Sequence, residues 1–284
     1  DGHLVSFEEV VKHKAAEILR RVAEPCVIQD MEFSVTASVG IAIFPQDGDD
    51  PHALLRNADT AMYRSKRKGR NTYEIFTPEM GDVVMKRVEI DNKLRHALEA
   101  GDFYLKYQAL MDSKTQAIIG AEALIRWNHP EQGMIYPDKF ISVAEDNGMS
   151  LEIGQWVRKE AAEQVAEWKK AGICKQERFR LAVNVSPRQF RQQGFVAQVL
   201  RVFEQTDVAP ESIELEVTES MLIHDINRAI SQLIKIKSTG STLTIYDFRS
   251  GYSSLSYLKS LPVDTLKIDQ SFVRDAVVDR KSVV

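Results

Sequence analysis

From residue 102 onward, short strands alternate with amphipathic helices, and each strand carries a polar residue near its C-terminal end. The strands read as Phe103–Gln108, Glu122–Trp127, Arg180–Ser186, Ile213–Val217, Thr242–Tyr246 and Thr265–Asp269. Helices are expected at about 137–147, 151–171, 188–206, 225–239 and 252–260. This alternation argues for a parallel sheet with helical crossovers. Within the strands, Leu181, Val183 and Val185 alternate with Ala182 and Asn184, Ile213, Leu215 and Val217 with Glu214 and Glu216, and Leu266 and Ile268 with Lys267 and Asp269. One face therefore meets helices while the other gathers polar groups, as in an α/β barrel whose active site is built at the C-terminal ends of several strands.

Glu122, Leu124 and Arg126 share one strand face, which brings an oxygen ligand for a metal and a clamp for phosphate onto one wall. Alone, such a pair is common on solvated strand faces, so its meaning depends on the other strands.

The upstream segment reads differently. A helix is expected over 8–23, two strands over 25–44 joined around Gln29-Asp30, and a helix over 51–69. The last of these has Leu54, Leu55, Ala58, Ala61 and Met62 as its apolar positions and Gly69 as its C-terminal stop. Its basic end, Arg64, Lys66, Arg67, Lys68 and Arg70, complements the helix dipole and is not a nucleic-acid patch. Met85, Val88, Ile90, Leu94 and Leu98 then mark a helical connector ended by Gly101-Asp102. The expected division is a first unit over 1–78, a connecting helix over 79–101 and a second unit over 102–284.

At 284 residues with 44% hydrophobic content, the chain can fill two cores. No apolar stretch approaches the roughly 20 residues of a membrane span, and no signal peptide is recognised. Cys26 and Cys174 lack metal-type spacing and are expected to be buried small hydrophobes in a reducing, cytoplasmic setting. A net charge of −4 argues against affinity for bulk nucleic acid.

The motifs EALIRW at 122, NVS at 184, EVTES at 216, YDFRSGYSSLSYL at 246 and LPVDTLKIDQSFV at 261 resemble, in this order, the EAL-domain family of bacterial cyclic-di-GMP phosphodiesterases. Upstream, VTASVGIAIFPQDGDD and LLRNADTAMYRSKRKGRNTYEIF, within 34–76, resemble the C-terminal half of a GGDEF domain. The implied architecture is α/β: an EAL-type (β/α)8 TIM-like barrel, incomplete at its C-terminal end, preceded by the C-terminal part of an α+β, cyclase-like GGDEF domain. Residues 102–284 fall short of the about 250 of a complete barrel. The later strands, which in the family supply a further Glu and a Gln, have no counterpart. The part of a GGDEF domain that binds nucleotide and metal is also missing, so a structural or regulatory role is expected there, without cyclase activity.

Hydrolysing one phosphodiester of cyclic-di-GMP needs a deprotonated water and neutralised phosphoryl oxygens, which two divalent ions can supply. Hard ions such as Mg²⁺ or Mn²⁺ favour oxygen ligands. The resemblance implies Glu122, Asn184 and Glu216 as ligands of a first metal and Asp247 as a ligand of a second. It implies Lys267 as the group that orients water or stabilises charge, and Glu219 as a brace for the loop after β-strand residues 242–246. Gln108 and Arg126 would hold the dinucleotide.

One departure matters. The family has two adjacent aspartates followed by Phe-Gly, whereas this chain has Tyr246, Asp247, Phe248 and Arg249. Alternation puts Tyr246 in the inward slot of the metal-bridging carboxylate, and a phenol with a pKa near 10 is a poor replacement. Arg249 could contact a phosphate, or simply sit on an exposed loop. Three readings follow: a receptor that binds cyclic-di-GMP with lost or weak catalysis and weakened metal binding; an active phosphodiesterase that yields linear pGpG; and a protein-interaction platform that handles no nucleotide. A homodimer and a protein partner in signalling are left open.

Overall fold

The computed structural model describes residues 7–29, 31–173, 179–223, 226–248 and 261–268. It divides into two compact units, Asp1–Ile90 and Asp91–Val284. The division falls within one helix, Pro78–Ala100 (α3).

The first unit runs α1 (Phe7–Val22), β1 (Cys26–Ile28), β2 (Met31–Phe33), β3 (Val39–Ile41), α2 (Pro51–Arg67) and β4 (Tyr73–Ile75). The segment 25–44 thus holds three short strands where two are expected. β1 and β2 form an antiparallel ribbon, and β3 pairs in parallel with β4. Asp50 caps α2, accepting from the backbone N–H of His52 at 2.7 Å and of Ala53 at 3.0 Å, with Pro51 opening the helix. After the C-terminal residue Lys68, Gly69 takes φ +118°, the conformation that ends the helix. Ala61 is buried but Leu55 is exposed, as are Met85 and Val88 of α3, so the apolar faces of these helices are narrower than the sequence pattern indicates. Cys26 is exposed, contrary to expectation, because the β1–β2 ribbon has few buried neighbours; Cys174 lies outside the described residues.

In the second unit, β5 (Phe103–Met111), β6 (Ile118–His129) and β7 (Gly133–Ile135) precede α4 (Pro137–Asn147) and α5 (Ser150–Lys170). Then follow β8 (Arg180–Asn184), α6 (Pro187–Arg191), α7 (Phe195–Thr206), β9 (Ile213–Thr218), α8 (Ser220–Ile223), α9 (Ile226–Lys237), β10 (Thr242–Phe248) and β11 (Thr265–Ile268). One sheet orders them β11-β10-β9-β8-β6-β5, with β7 also on β6. From β6 to β11 the pairs are parallel, whereas β5 and β7 run antiparallel to β6. The β5–β6 turn is short, with the Asp112 side chain accepting from Lys114 N at 3.0 Å and Thr115 N at 2.7 Å, and a tight turn joins antiparallel strands. The helix expected at 188–206 is two helices, separated by Gly194 at φ +85°.

The core lies where the sheet meets its helices. Leu181, Val183, Leu215, Val217, Leu243 and Ile245 are fully buried, and Trp127, Phe140 and Phe103 pack with centroids 5.6–5.9 Å apart. α5 lies close to α6 because Gly154 has no side chain: a Cβ there would meet Gln189 Nε2 at 1.9 Å. Gln189 is itself buried and tied down, donating to Ser150 O at 2.6 Å and accepting from Arg158 Nη1 at 2.9 Å. Burial pulls the Arg158 guanidinium down to about 10, and it lies over the Phe195 ring.

Candidate functional site at the strand ends

Each residue of the site is placed by strand register. In the parallel part of the sheet Asn184 is level with Glu216, and Glu216 with Thr244. On the antiparallel side Gln108 is level with Glu122. Glu122, Leu124 and Arg126 are half-buried while Ala121, Ala123, Trp127 and His129 are buried, so the period-two alternation of β6 is visible in its exposure.

Four of the expected site residues are bonded together. Asn184 Nδ2 donates to Glu122 Oε1 at 2.9 Å, Lys267 Nζ donates to Glu122 Oε2 at 2.8 Å, and Lys267 also donates to Glu216 Oε1. These residues come from β6, β8, β9 and β11, so the cluster spans the parallel sheet.

Burial pushes the Glu216 carboxyl up to about 7; Glu122 and Glu214 add to the rise, and Lys267 opposes it. For Lys267 burial works against the ammonium, but its hydrogen bonds and charge interactions with Glu122 and Glu216 outweigh it, and the pKa is raised. Glu214 lies deeper on the same face of β9 and accepts from the buried Thr244 hydroxyl at 2.6 Å. The sequence places Glu214 on that face but gives it no role; what it adds is negative charge beneath Glu216, a contribution that only the register reveals.

The remaining expected residues are less tightly joined. Arg126 donates from Nη1 to Ile125 O at 2.8 Å and lies 5.2 Å over the Tyr136 ring. Among the described residues no carboxylate pairs with it. Gln108 is exposed on the neighbouring strand. Glu219 is buried in the turn from β9 into α8. The register between β10 and β11 shifts between Ile245 and Phe248, so an irregularity falls at Tyr246 and Asp247. The side chain of Asp247 and all of Arg249 lie outside the described residues.

Half-buried Tyr246 also lines a cavity of about 380 Å³ with Asn184, Ser186, Leu124, Pro137 and Ile141. Glu145, on the same cavity, has its carboxyl raised chiefly by burial, with Asp146 adding and Arg191 opposing. The site thus offers clustered oxygen donors, one ammonium, one guanidinium that no carboxylate of the described residues pairs with, and an adjacent, mostly apolar recess.

The EAL domain family model matches residues 91–283. The chain belongs to the EAL-domain family. Ahead of the EAL domain, the model described as diguanylate cyclase, GGDEF domain, matches residues 6–72. The chain is 38% identical over 268 residues to the cyclic di-GMP phosphodiesterase PdeR of Escherichia coli, covering 94% of this chain and 40% of that protein. It is 37% identical over 265 residues to the bifunctional diguanylate cyclase/cyclic di-GMP phosphodiesterase MucR of Pseudomonas aeruginosa, covering 93% and 38%. The chain spans between 32% and 40% of the length of such curated relatives. Among solved structures, the MucR phosphodiesterase in complex with c-di-GMP aligns with a TM-score of 0.64 at 37% identity, covering 68% of this chain and 77% of that one. The EAL enzyme Bd1971, with cAMP and cyclic-di-GMP bound, aligns at 0.65 and 30% identity, covering 84% and 61%. Among the described residues of the two units, no helix is long and apolar enough to cross a membrane.

Proposed function

We propose that the EAL domain of this chain is a receptor for cyclic-di-GMP whose hydrolytic activity is weak or lost. The observation that carries this reading is Tyr246 at the end of β10, beside the Glu122–Asn184–Glu216–Lys267 cluster, where the family has an aspartate. Arg126 and the exposed Gln108 would hold the dianion, with Arg249 as a further candidate contact. Relatives solved with cyclic-di-GMP support the ligand class.

The donor set also suits a hard divalent ion such as Mg²⁺ or Mn²⁺: two carboxylates and an amide oxygen within one cluster. Glu122, Asn184 and Glu216 would hold a first such ion and Asp247 a second, and these would supply charge neutralisation and an activated water. A phenol beside these ligands brings a neutral ring in place of an anion, which weakens metal retention. Lys267 would hold developing negative charge, and Glu219 would brace the turn that follows β9. The first unit, matched by the GGDEF family model over residues 6–72, would take a structural or regulatory part.

A second reading, a working phosphodiesterase that opens the ring to linear pGpG, is favoured by the intact Glu122, Asn184, Glu216 and Lys267 arrangement. Calorimetry with cyclic-di-GMP, followed by chromatography of the nucleotide after long incubation with Mn²⁺, separates the two. Binding without linear product is expected; appreciable pGpG selects the phosphodiesterase, and no binding under any condition rejects both.

A further inference from the structure

Arg126 and Tyr136 are neighbours across a strand pair. β7 runs antiparallel to the end of β6, with Trp127 level with Ile135 and Asn128 with Met134. One step further along this register Arg126 faces Tyr136, and the guanidinium carbon lies 5.2 Å from the centroid of the phenol ring. Alternation puts the pair on the face of β6 that carries Glu122 and Leu124. The tyrosine is held from both sides. Ile135 before it is buried, and Pro137 after it opens α4 and restricts Tyr136 to an extended backbone, with φ −83° and ψ 154°. Its carbonyl accepts from Lys139 N at 3.1 Å. The ring is therefore presented from a fixed point, although it is itself half-exposed.

The bonding of the guanidinium shows what the ring contributes. Nε is buried without an acceptor among the described residues, and Nη1 donates to Ile125 O at 2.8 Å. A single hydrogen bond to an adjacent carbonyl is a weak restraint on so long a side chain. A cation over an aromatic face is held more firmly when it is partly desolvated, as the buried Nε is here. The ring thus restrains the charge as a carboxylate would, but it takes none of the Nη N–H groups that a planar guanidinium directs at phosphate oxygens. Leu124 and Pro137, beside the pair, line the recess that also includes Asn184 and Tyr246, so the pair stands at its edge.

We propose that Tyr136 is a positioning residue for the dinucleotide: its ring holds the Arg126 guanidinium in place and leaves the Nη groups to a phosphodiester oxygen. This rests on the receptor reading given above, in which Arg126 is a ligand contact. The aromatic ring is what the position requires; the phenol oxygen is not.

The test uses the 284-residue chain and its Tyr136→Leu, Tyr136→Phe, Arg126→Ala and Arg126→Ala/Tyr136→Leu variants. Calorimetry with cyclic-di-GMP is run in EDTA and in Mn²⁺, and side-chain ¹H–¹⁵N spectra are recorded on the free proteins, the Arg126 Nε–H signal being the one that Arg126→Ala removes. Tyr136→Leu should bind about 3- to 30-fold more weakly, the range for a partly desolvated cation–π contact, and Tyr136→Phe should recover most of the affinity. In the Arg126→Ala background Tyr136→Leu should cost nothing further. In the free wild type the ring current should place the Arg126 signal upfield, and Tyr136→Leu should return it to the ordinary range. Wild-type affinity in Tyr136→Leu overturns the proposal, as does an equal loss with and without Arg126, which would mean that the ring acts on its own. An Arg126 signal already in the ordinary range in the wild type overturns it even if no variant folds. If the wild type binds no dinucleotide with or without Mn²⁺, the receptor reading fails, and the position of the Arg126 signal still decides whether Tyr136 holds the guanidinium.

Discussion

Asn184 donates to Glu122 across 62 positions of sequence, at 2.9 Å, joining two adjacent parallel strands at their polar ends. The bond fixes one oxygen of Glu122 and leaves the other to Lys267. A carboxylate held in this way keeps one orientation, which any charged ligand of the site then meets.

Replacing Arg126 with alanine removes the one guanidinium near the cluster that no carboxylate of the described residues neutralises. Affinity for cyclic-di-GMP is expected to fall about 10- to 100-fold, the range for a charge-assisted hydrogen bond. Calorimetry on the folded variant reads this directly; unchanged affinity would remove Arg126 from the binding surface.

Glu216 gives the fold a pH dependence. Its pKa is raised to about 7, from 4.5 in the unfolded chain, so the folded state binds its proton more tightly. The associated stability is fully present below about pH 4.5 and is lost as the pH rises through 7. A shift of this size corresponds to roughly 3 kcal/mol. Urea unfolding of Glu216→Gln, compared with the wild type at several pH values, should lack that slope between pH 4.5 and 7; identical slopes would refute the assignment.

Gly154→Ala places a methyl carbon against Gln189, whose amide already bonds Ser150 O and Arg158 Nη1. Moving the amide away leaves buried polar atoms without partners, at about 1–3 kcal/mol. The midpoint of chemical denaturation should fall accordingly. A variant as stable as the wild type would mean that α5 and α6 can separate without penalty.

Tyr246→Asp restores an anion beside Glu216 and Asn184. The variant is expected to gain a Mn²⁺-dependent rise in melting temperature that the wild type lacks. If both proteins respond alike to Mn²⁺, the ring at 246 is not what limits metal retention.

Much of the second unit was legible because strand periodicity and the helix stops are local signals. Alternation placed Glu122 with Arg126 and Glu216 with Glu214, and Gly148 at φ +92° closes α4 where the pattern ends. The antiparallel entry of β5 depended on the length of one turn. Exposure of Leu55, Met85 and Val88 could not be read from spacing, because a helix pattern does not say how wide a surface covers it. The sharing of Lys267 between Glu122 and Glu216 was equally hidden, since it joins residues from strands separated by β10. The Glu214–Thr244 bond is of the same kind: alternation placed Glu214 on the polar face, but not its contact with Thr244.

β6 is gripped along both edges, by β5 over Ile118–Trp127 on one side and by β8 over Gly120–Ala123 and β7 over Trp127–His129 on the other, and a Cβ at Gly120 would meet Arg180 O at 2.5 Å. Glu122 therefore rides on a strand held from both sides. Ligand-driven adjustment must be taken up by partners arriving from elsewhere, above all by the long, rotatable stem of Lys267.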